Sequence, residues 1–225
     1  MKTTDKQYNK FNLDYSENIK QNHIADNDFY QMLNVDPDNL TILDIGCGDG
    51  HDLKKIMKST TFVYGIDPSE KFIEQAQNEI PKGDFDIGYG ENLPYKDNYF
   101  DLIISKYAIQ TSTKAKECML EAARVLKPGG TLHILIKHPF QQFLEKKKFL
   151  NKSVNYFKQE NTISVIYGGL ITLNEPTHKM EDYLNADFFK EFELVDYREN
   201  FDFPASEQIN DDIYPTYFII TARKK

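Results

Sequence analysis

The chain has 225 residues, 40% of them hydrophobic, which is enough for a sizeable core in one domain, and a formal net charge of −8. That charge repels nucleic acid, and the densest basic run, Lys146–Lys148, is too short to offset it. Two cysteines, Cys47 and Cys118, point to neither a disulfide framework nor a zinc site; the polar Met1–Lys10 and the lack of an apolar run of about 18 residues predict a cytoplasmic chain with no membrane segment.

Residues up to about Asn12 are polar. From Asp14 to Leu33, Ile19, Ile24, Phe29, Met32 and Leu33 follow a helical pattern that Pro37 stops, which predicts an N-terminal helical lid over 1–40. Its Tyr8, Phe11 and Tyr15 either pack the helix on the core or touch a ligand. Thr41–Ile45 is short, apolar and β-branched, as a buried parallel strand should be, and Gly46, Gly48 and Gly50 follow it at alternate positions. Such a loop frees backbone for positive φ and lets a flat nucleotide lie against it. No Lys-Ser or Lys-Thr pair closes it as a P-loop requires, and His51 stands where a dinucleotide fingerprint needs its third glycine. Asp44, two residues ahead of Gly46, repels phosphates and suits a ligand with a cationic end; its plainer role is to bond loop amides.

Asp52–Lys58 reads as a short helix and Phe62–Asp67 as the second strand. Asp67 falls about 20 residues beyond the glycine loop, the distance at which a strand-end carboxylate reaches a ribose. Followed by Pro68 and Glu70, it also reads as the N-cap of a helix Pro68–Glu79. Strands are expected at Phe85–Tyr89, Phe100–Ser105 and Thr131–Ile136, with a helix at Thr113–Leu126 that Lys127-Pro128-Gly129-Gly130 ends. This alternation predicts a parallel sheet with helices on both faces and right-handed crossovers. Ligands then collect at the C-terminal strand ends, where Asp44, Asp67, Tyr89, Ser105 and His138 fall. Residues 138–178 read as an inserted substrate cap, with a basic amphipathic stretch Gln141–Leu150 and a strand-like Ser164–Leu173 broken by Gly168-Gly169. In the last segment, 179–225, a helix Lys179–Lys190 precedes strands Phe192–Arg198 and Thr216–Arg223, which should pair antiparallel at the sheet edge.

Five ordered blocks, Ile42-Leu43-Asp44-Ile45-Gly46-Cys47-Gly48-Asp49-Gly50, Gly65-Ile66-Asp67-Pro68-Ser69, Glu91-Asn92-Leu93-Pro94-Tyr95, Phe100-Asp101-Leu102-Ile103 and Leu126-Lys127-Pro128-Gly129-Gly130, resemble the class I S-adenosylmethionine-dependent methyltransferases. The likeness covers the core, 41–137; the tail, with His178 and Asp182-Tyr183-Leu184, resembles the small-molecule branch more loosely. It implies one α/β domain over 1–225, built on a Rossmann-like, seven-stranded, mostly parallel doubly wound sheet with its last strand antiparallel. The implied cofactor is S-adenosyl-L-methionine, leaving S-adenosyl-L-homocysteine as product. By position, Asp44, Gly46, Cys47 and Gly48 would hold the methionine end and Asp67 the ribose. Pro68 and Ser69 would flank the adenine, main-chain groups of Gly90, Glu91 and Asn92 would bind it, and Leu93 would pack on the ring. Ser105 and Lys106 would border the methyl. Tyr89 replaces the acidic adenine contact usual in the family, and the Asn-Pro-Pro-Tyr signature of base-amine methylation is absent after the fourth strand.

An activated sulfonium methyl mainly requires an aligned nucleophile and exclusion of water. His138, at a strand end and titratable near neutral pH, is the candidate base; a structural strand-end bond is its alternative. Tyr15, Tyr107, Gln110, His178 and Tyr214 are candidate contacts for a small-molecule acceptor. The expected function is therefore methyl transfer to a small molecule, with non-catalytic binding of the same nucleotide as the alternative.

Overall fold

The computed structural model describes residues 24–166, 171–202 and 213–225; the expected lid residues Tyr8, Phe11 and Tyr15, and the Gly168-Gly169 break, lie outside them. The first half runs α1 (Ile24–Met32), β1 (Thr41–Ile45), α2 (His51–Ile56), β2 (Phe62–Asp67), α3 (Glu70–Glu79), β3 (Asp84–Ile87) and β4 (Phe100–Lys106). The second half runs α4 (Ala115–Val125), β5 (Leu126–Lys137), α5 (Pro139–Leu150), β6 (Asn161–Ile166), β7 (Ile171–Pro176), α6 (Ala186–Glu191), β8 (Phe192–Asn200) and β9 (Tyr217–Lys224).

Seven strands form one sheet in the order β3-β2-β1-β4-β5-β9-β8, and only β9 runs against its neighbours. Alternation along each strand splits the core between the two faces. Leu43, Ile103 and Leu132 meet Cys118, Met119 and Ala122 of α4, whereas Ile42, Leu102 and Leu135 meet Ala25, Phe29 and Met32 of α1. The strand order reverses between β1 and β4, so their C-terminal ends open the crevice in which ligands of such sheets bind. Among the described residues no helix is long and apolar enough to cross a membrane.

The late strand pair is antiparallel, as expected, with β8 outermost. Phe218, Ile219 and Ile220 of β9 are fully buried, which requires cover on both faces; Leu194 and Val195 of β8 are exposed, which suits an edge. Among the boundaries that differ from expectation, two have a clear local cause. β5 begins at Leu126, directly after α4, because Lys127-Pro128-Gly129-Gly130 forms a bulge between the Phe100–Leu126 and Leu102–Thr131 pairs, with Gly129 at φ +77°. The helix expected over Lys179–Lys190 splits into a 3₁₀ turn at Met180–Asp182 and α6, since the Asn185 side chain accepts the N–H groups of Asp187 and Phe188 and starts a new helix.

Above the sheet, β6 and β7 pair antiparallel as a separate hairpin beside α5. Buried charge fastens this unit: Lys137 Nζ, at the end of β5, meets Glu145 of α5 at 2.8 Å and Glu175 of β7 at 3.1 Å. The basic run on α5 is partly consumed inside, for Lys146 is buried with its Nζ 2.6 Å from Glu160 and bonded to two carbonyls.

α1 is pinned to the far end of the chain. Asp28 accepts from Arg198 at 2.6 Å, Tyr217 Oη at 2.7 Å and Asn200 at 3.1 Å, while the buried His133 ring donates from Nε2 to the Phe29 carbonyl at 2.9 Å. Burial alone would raise the Asp28 pKa, but these partners hold it below the ordinary carboxylate value. A depressed folded-state pKa contributes stability above the unfolded value of about 4 and loses it as pH falls through the lower folded value. Asp28→Ala leaves the Tyr217 hydroxyl buried without its acceptor, so urea unfolding near neutral pH should show a loss of about 2 kcal/mol. The difference from wild type should shrink in acid.

Candidate cofactor and acceptor site

The site begins where β1 ends. Gly46 adopts φ +79°, and a Cβ there would lie 2.1 Å from the Ala108 Cβ, so the loop after β1 and the loop after β4 touch through a position open only to glycine. The N–H groups of Gly46 and Cys47 both donate to the Ile66 carbonyl, at 2.7 and 3.2 Å, and turn the loop toward β2. Gly48, at φ +51°, has no atom within 4 Å of where its Cβ would project, so its backbone faces open space. Gly50, at φ +83°, starts α2.

From β2, Asp67 reaches across. Its Oδ2 accepts the Gly48 N–H at 3.1 Å and its Oδ1 the Ser69 N–H at 2.9 Å. The cap of α3 is therefore Ser69, whose hydroxyl accepts the Phe72 N–H at 3.4 Å, and the expected Asp67 cap is corrected: Asp67 still belongs to β2, two residues before the helix can start. Beside it, Asn92 donates its N–H to the Tyr89 carbonyl at 3.1 Å in a tight turn. Gly90 within that turn approaches Ile45 so closely that a Cβ would sit 2.8 Å from Ile45 Cγ2. Glu91 accepts from Ser112 Oγ at 3.0 Å, and Leu93 is buried with its N–H on Glu121.

Asp44 lies under this loop, 2% exposed, and its Oδ2 has no hydrogen-bond partner among the described residues. Burial, followed by the neighbouring Asp52, drives its pKa well above the carboxylate range despite Lys106. A buried acceptor without a donor is costly, and a cationic N–H group of a ligand supplies what it lacks. Burial also pushes the Cys47 thiol up, so this cysteine is an inert wall. Residues expected around the nucleotide, Asp44–Gly48, Asp67–Ser69, Gly90–Leu93 and Ser105-Lys106, thus converge on the crevice beside β1.

Two of them already have structural duties. Ser105 Oγ donates to the Ile45 carbonyl at 2.7 Å and seals β4 to β1. Lys106 pairs with Asp52 at 2.7 Å and Asp26 at 3.1 Å, while the Tyr30 hydroxyl bonds Asp52. Burial opposes its charge, but these carboxylates hold Lys106 protonated. Asp26 and Asp52 were not singled out by the sequence, in which α1 and α2 carry no pattern that joins them to β4.

The residues expected to meet the acceptor stand on different elements. His138 caps α5: Nδ1 accepts the Phe140 N–H at 3.0 Å, so Nε2 carries the proton and donates to Glu199 at 3.0 Å. Burial also lowers its pKa, with Glu199 acting against that shift. The expected base has no free lone pair here, because Pro139 at the first helical position makes residue 138 the cap. Tyr107 stands in a left-handed conformation at φ +54°, an outlier for a bulky side chain, and its carbonyl accepts from Gln110 Nε2 at 2.7 Å. Gln110 Oε1 is buried without a partner among the described residues. The ring of Tyr214 meets Phe140 edge-on at 5.9 Å, and Phe143, Tyr156 and Phe157 continue that aromatic path across α5. Tyr15 lies outside the described residues.

Glycine substitutions separate the two uses of the loop. Gly46→Ala meets the Ala108 wall and should destabilise the fold by more than the 1–2 kcal/mol or so of left-handed strain alone. Gly48→Ala carries only that strain, so thermal unfolding should rank Gly46→Ala well below Gly48→Ala.

A family model described as a methyltransferase domain matches residues 43–134. The chain is 27% identical over 188 residues to a ubiquinone/menaquinone biosynthesis C-methyltransferase of Campylobacter jejuni, covering 75% of this chain and 76% of that one. It is 30% identical over 126 residues to a demethylmenaquinone methyltransferase of Thermotoga maritima, covering 56% of this chain and 53% of that one. A solved S-adenosylmethionine-dependent methyltransferase from Mesorhizobium loti superposes with a TM-score of 0.68 at 19% identity, over 88% of this chain and 96% of that one, a likeness of fold. Together with the glycine loop and the strand order, these matches identify residues 43–134 as a methyltransferase domain with the class I S-adenosylmethionine-dependent fold.

Proposed function

We propose that this methyltransferase carries the methyl group of S-adenosylmethionine to a small, partly apolar acceptor, and that a hydroxylated aromatic ring of the quinol type is the acceptor it fits best. The observation that carries the cofactor assignment is the buried, unpartnered Asp44 Oδ2 at the head of an open glycine loop. The α-ammonium of the methionine portion matches that oxygen in charge and in donor capacity. Asp67, whose oxygens span Gly48 and Ser69, is the carboxylate assigned to the vicinal hydroxyls of a ribose, a role its interval from the glycine loop supports. Two supports favour the acceptor class: the names of the relatives above, and the aromatic path from Tyr214 to Phe157 at the end of the sheet where an acceptor must enter.

When bound, the cofactor supplies an electrophilic sulfonium methyl. The chain's own contribution is alignment and exclusion of water. The contact between Gly46 and Ala108 fixes the nucleotide loop against the start of the acceptor loop. Lys106, neutralised by Asp52 and Asp26, closes the crevice toward α1 and leaves Asp44 as the carboxylate in need of a cation.

Calorimetry with S-adenosylhomocysteine tests this reading. Asp44→Asn should weaken binding by about 10-fold or more, the loss of one charge-assisted bond. In the wild type the ligand's ammonium restores Asp44 to its ionised form, so binding releases a proton and affinity should rise with pH through the elevated Asp44 pKa of the empty site. Unchanged affinity in Asp44→Asn, or affinity flat with pH, contradicts the assignment.

A further inference from the structure

A cavity of about 250 Å³ opens between the start of α4, the 156–159 segment and the 177–182 segment. Tyr156 and Phe157 give it apolar walls, Thr113, Thr177 and Gln159 give it polar ones, and His178 lines it while remaining 2% exposed. Two short chains of hydrogen bonds link its surroundings to the nucleotide crevice. His178 Nε2 bonds the Gln110 carbonyl at 2.9 Å, and Gln110 bonds back to Tyr107 at the end of β4. Ser112, next to Thr113, bonds Glu91 of the loop beside β1.

The state of the His178 ring is set by its partners. A carbonyl only accepts, so Nε2 must carry a proton, and the neutral ring then has its lone pair on Nδ1. That nitrogen is buried without a hydrogen-bond partner among the described residues. Asp182 Oδ2 stands 3.5 Å away, beyond hydrogen-bond length but within reach of an ion pair, and is itself held by the Lys179 N–H at 2.9 Å. The ring is fixed from behind: its backbone N–H donates to Gln142 Oε1 at 3.0 Å, and Tyr183 packs against it at 5.5 Å between centroids. The cations lining the cavity are engaged elsewhere, Lys116 with Asp187 at 2.6 Å and Lys179 with Glu181 at 2.9 Å, which leaves Glu117 and Asp182 as the carboxylates there. An oriented lone pair, a carboxylate placed to stabilise the imidazolium, and a cavity with aromatic walls are the parts of a general base and its binding site.

We infer that His178 takes the hydroxyl proton of an acceptor seated in this cavity, an inference that rests on the methyltransferase reading of the nucleotide crevice. The O–H bond breaks and its proton goes to Nδ1. The electron pair left on oxygen, directly or through the conjugated ring, forms the new bond to the methyl carbon, and the C–S pair stays on sulfur as the thioether of S-adenosylhomocysteine; where a ring carbon attacks, its C–H bond then breaks, the pair restores the aromatic ring and the oxygen regains a proton. No oxidant or reductant is needed. Asp182 then faces a cation.

Nitrogen-15 histidine NMR of the full chain, with 1,4-dihydroxynaphthalene as probe, tests the inference without turnover. In the free protein the neutral His178 ring should carry its proton on Nε2, a signal assigned by its loss in His178→Gln. The probe should shift the Nδ1 resonance, and 1,4-dimethoxynaphthalene, which lacks the proton, should not. With an acceptor found by methyl labelling, His178→Gln, whose amide can still donate to the Gln110 carbonyl, should lower kcat on the order of 10²-fold and leave S-adenosylhomocysteine affinity little changed. A proton on Nδ1 of the free protein, an Nδ1 signal indifferent to the probe, or full kcat in His178→Gln overturns the inference. Absence of any methyl transfer by the wild type overturns the methyltransferase reading instead, and the NMR result still decides the role of His178.

Discussion

The carboxylate of Asp67 is the tie on which the nucleotide side of this molecule depends. One oxygen holds Gly48 of the loop after β1, and the other holds Ser69 at the entry to α3. Two connections that leave neighbouring parallel strands are thereby set at a fixed separation. Gly46 adds the second constraint, because its contact with Ala108 leaves no room for a side chain and joins the same loop to the segment after β4. Strand ends alone would leave these loops free to drift; the shared carboxylate and the bare glycine hold them at fixed separations.

The electrostatics of the crevice are unbalanced when it is empty. Asp26, Asp52 and Asp44 gather around Lys106, which pairs with the first two and leaves an oxygen of the third unmatched. A protein selected for stability alone would not bury a carboxylate in that way. The proposed cationic ligand would account for the arrangement; burial first, and then the neighbouring carboxylates, raise the Asp44 pKa, and those carboxylates also repel phosphates. Strain at Tyr107 marks the opposite bank of the crevice, where the chain leaves β4 in a conformation that bulky residues avoid. From there hydrogen bonds run through Gln110 to His178 and the cavity beyond.

The parts of this architecture that depend on local spacing were legible in the sequence. Alternating glycines after a β-branched run located the loop after β1, the interval to Asp67 located its partner on β2, and the five ordered blocks implied the sheet. Contacts made by residues far apart in the chain were not legible. His138 looked like a base because it ends a strand, yet its ring is consumed by the Phe140 N–H and by Glu199 on β8. Lys106 was expected beside the methyl, and nothing near it in sequence indicated that Asp26 and Asp52 would reach it. The cap of α3 was misplaced by two residues because Asp67 and Ser69 are both good capping types, and only the end of β2 decides between them. The bulge opening β5 and the restart at Asn185 were hidden for a similar reason: Gly-Gly and a lone Asn mark a change of direction but do not specify whether a strand or a helix comes next.

The most direct measurement of the central claim is transfer of a labelled methyl group. The purified chain, incubated with methyl-labelled S-adenosylmethionine and a lipid-containing metabolite extract, should place label on a small, organic-extractable product and release one S-adenosylhomocysteine per methyl transferred. Label confined to unreacted cofactor, with S-adenosylhomocysteine bound tightly but never formed, would contradict the account and leave a nucleotide-binding protein in place of an enzyme.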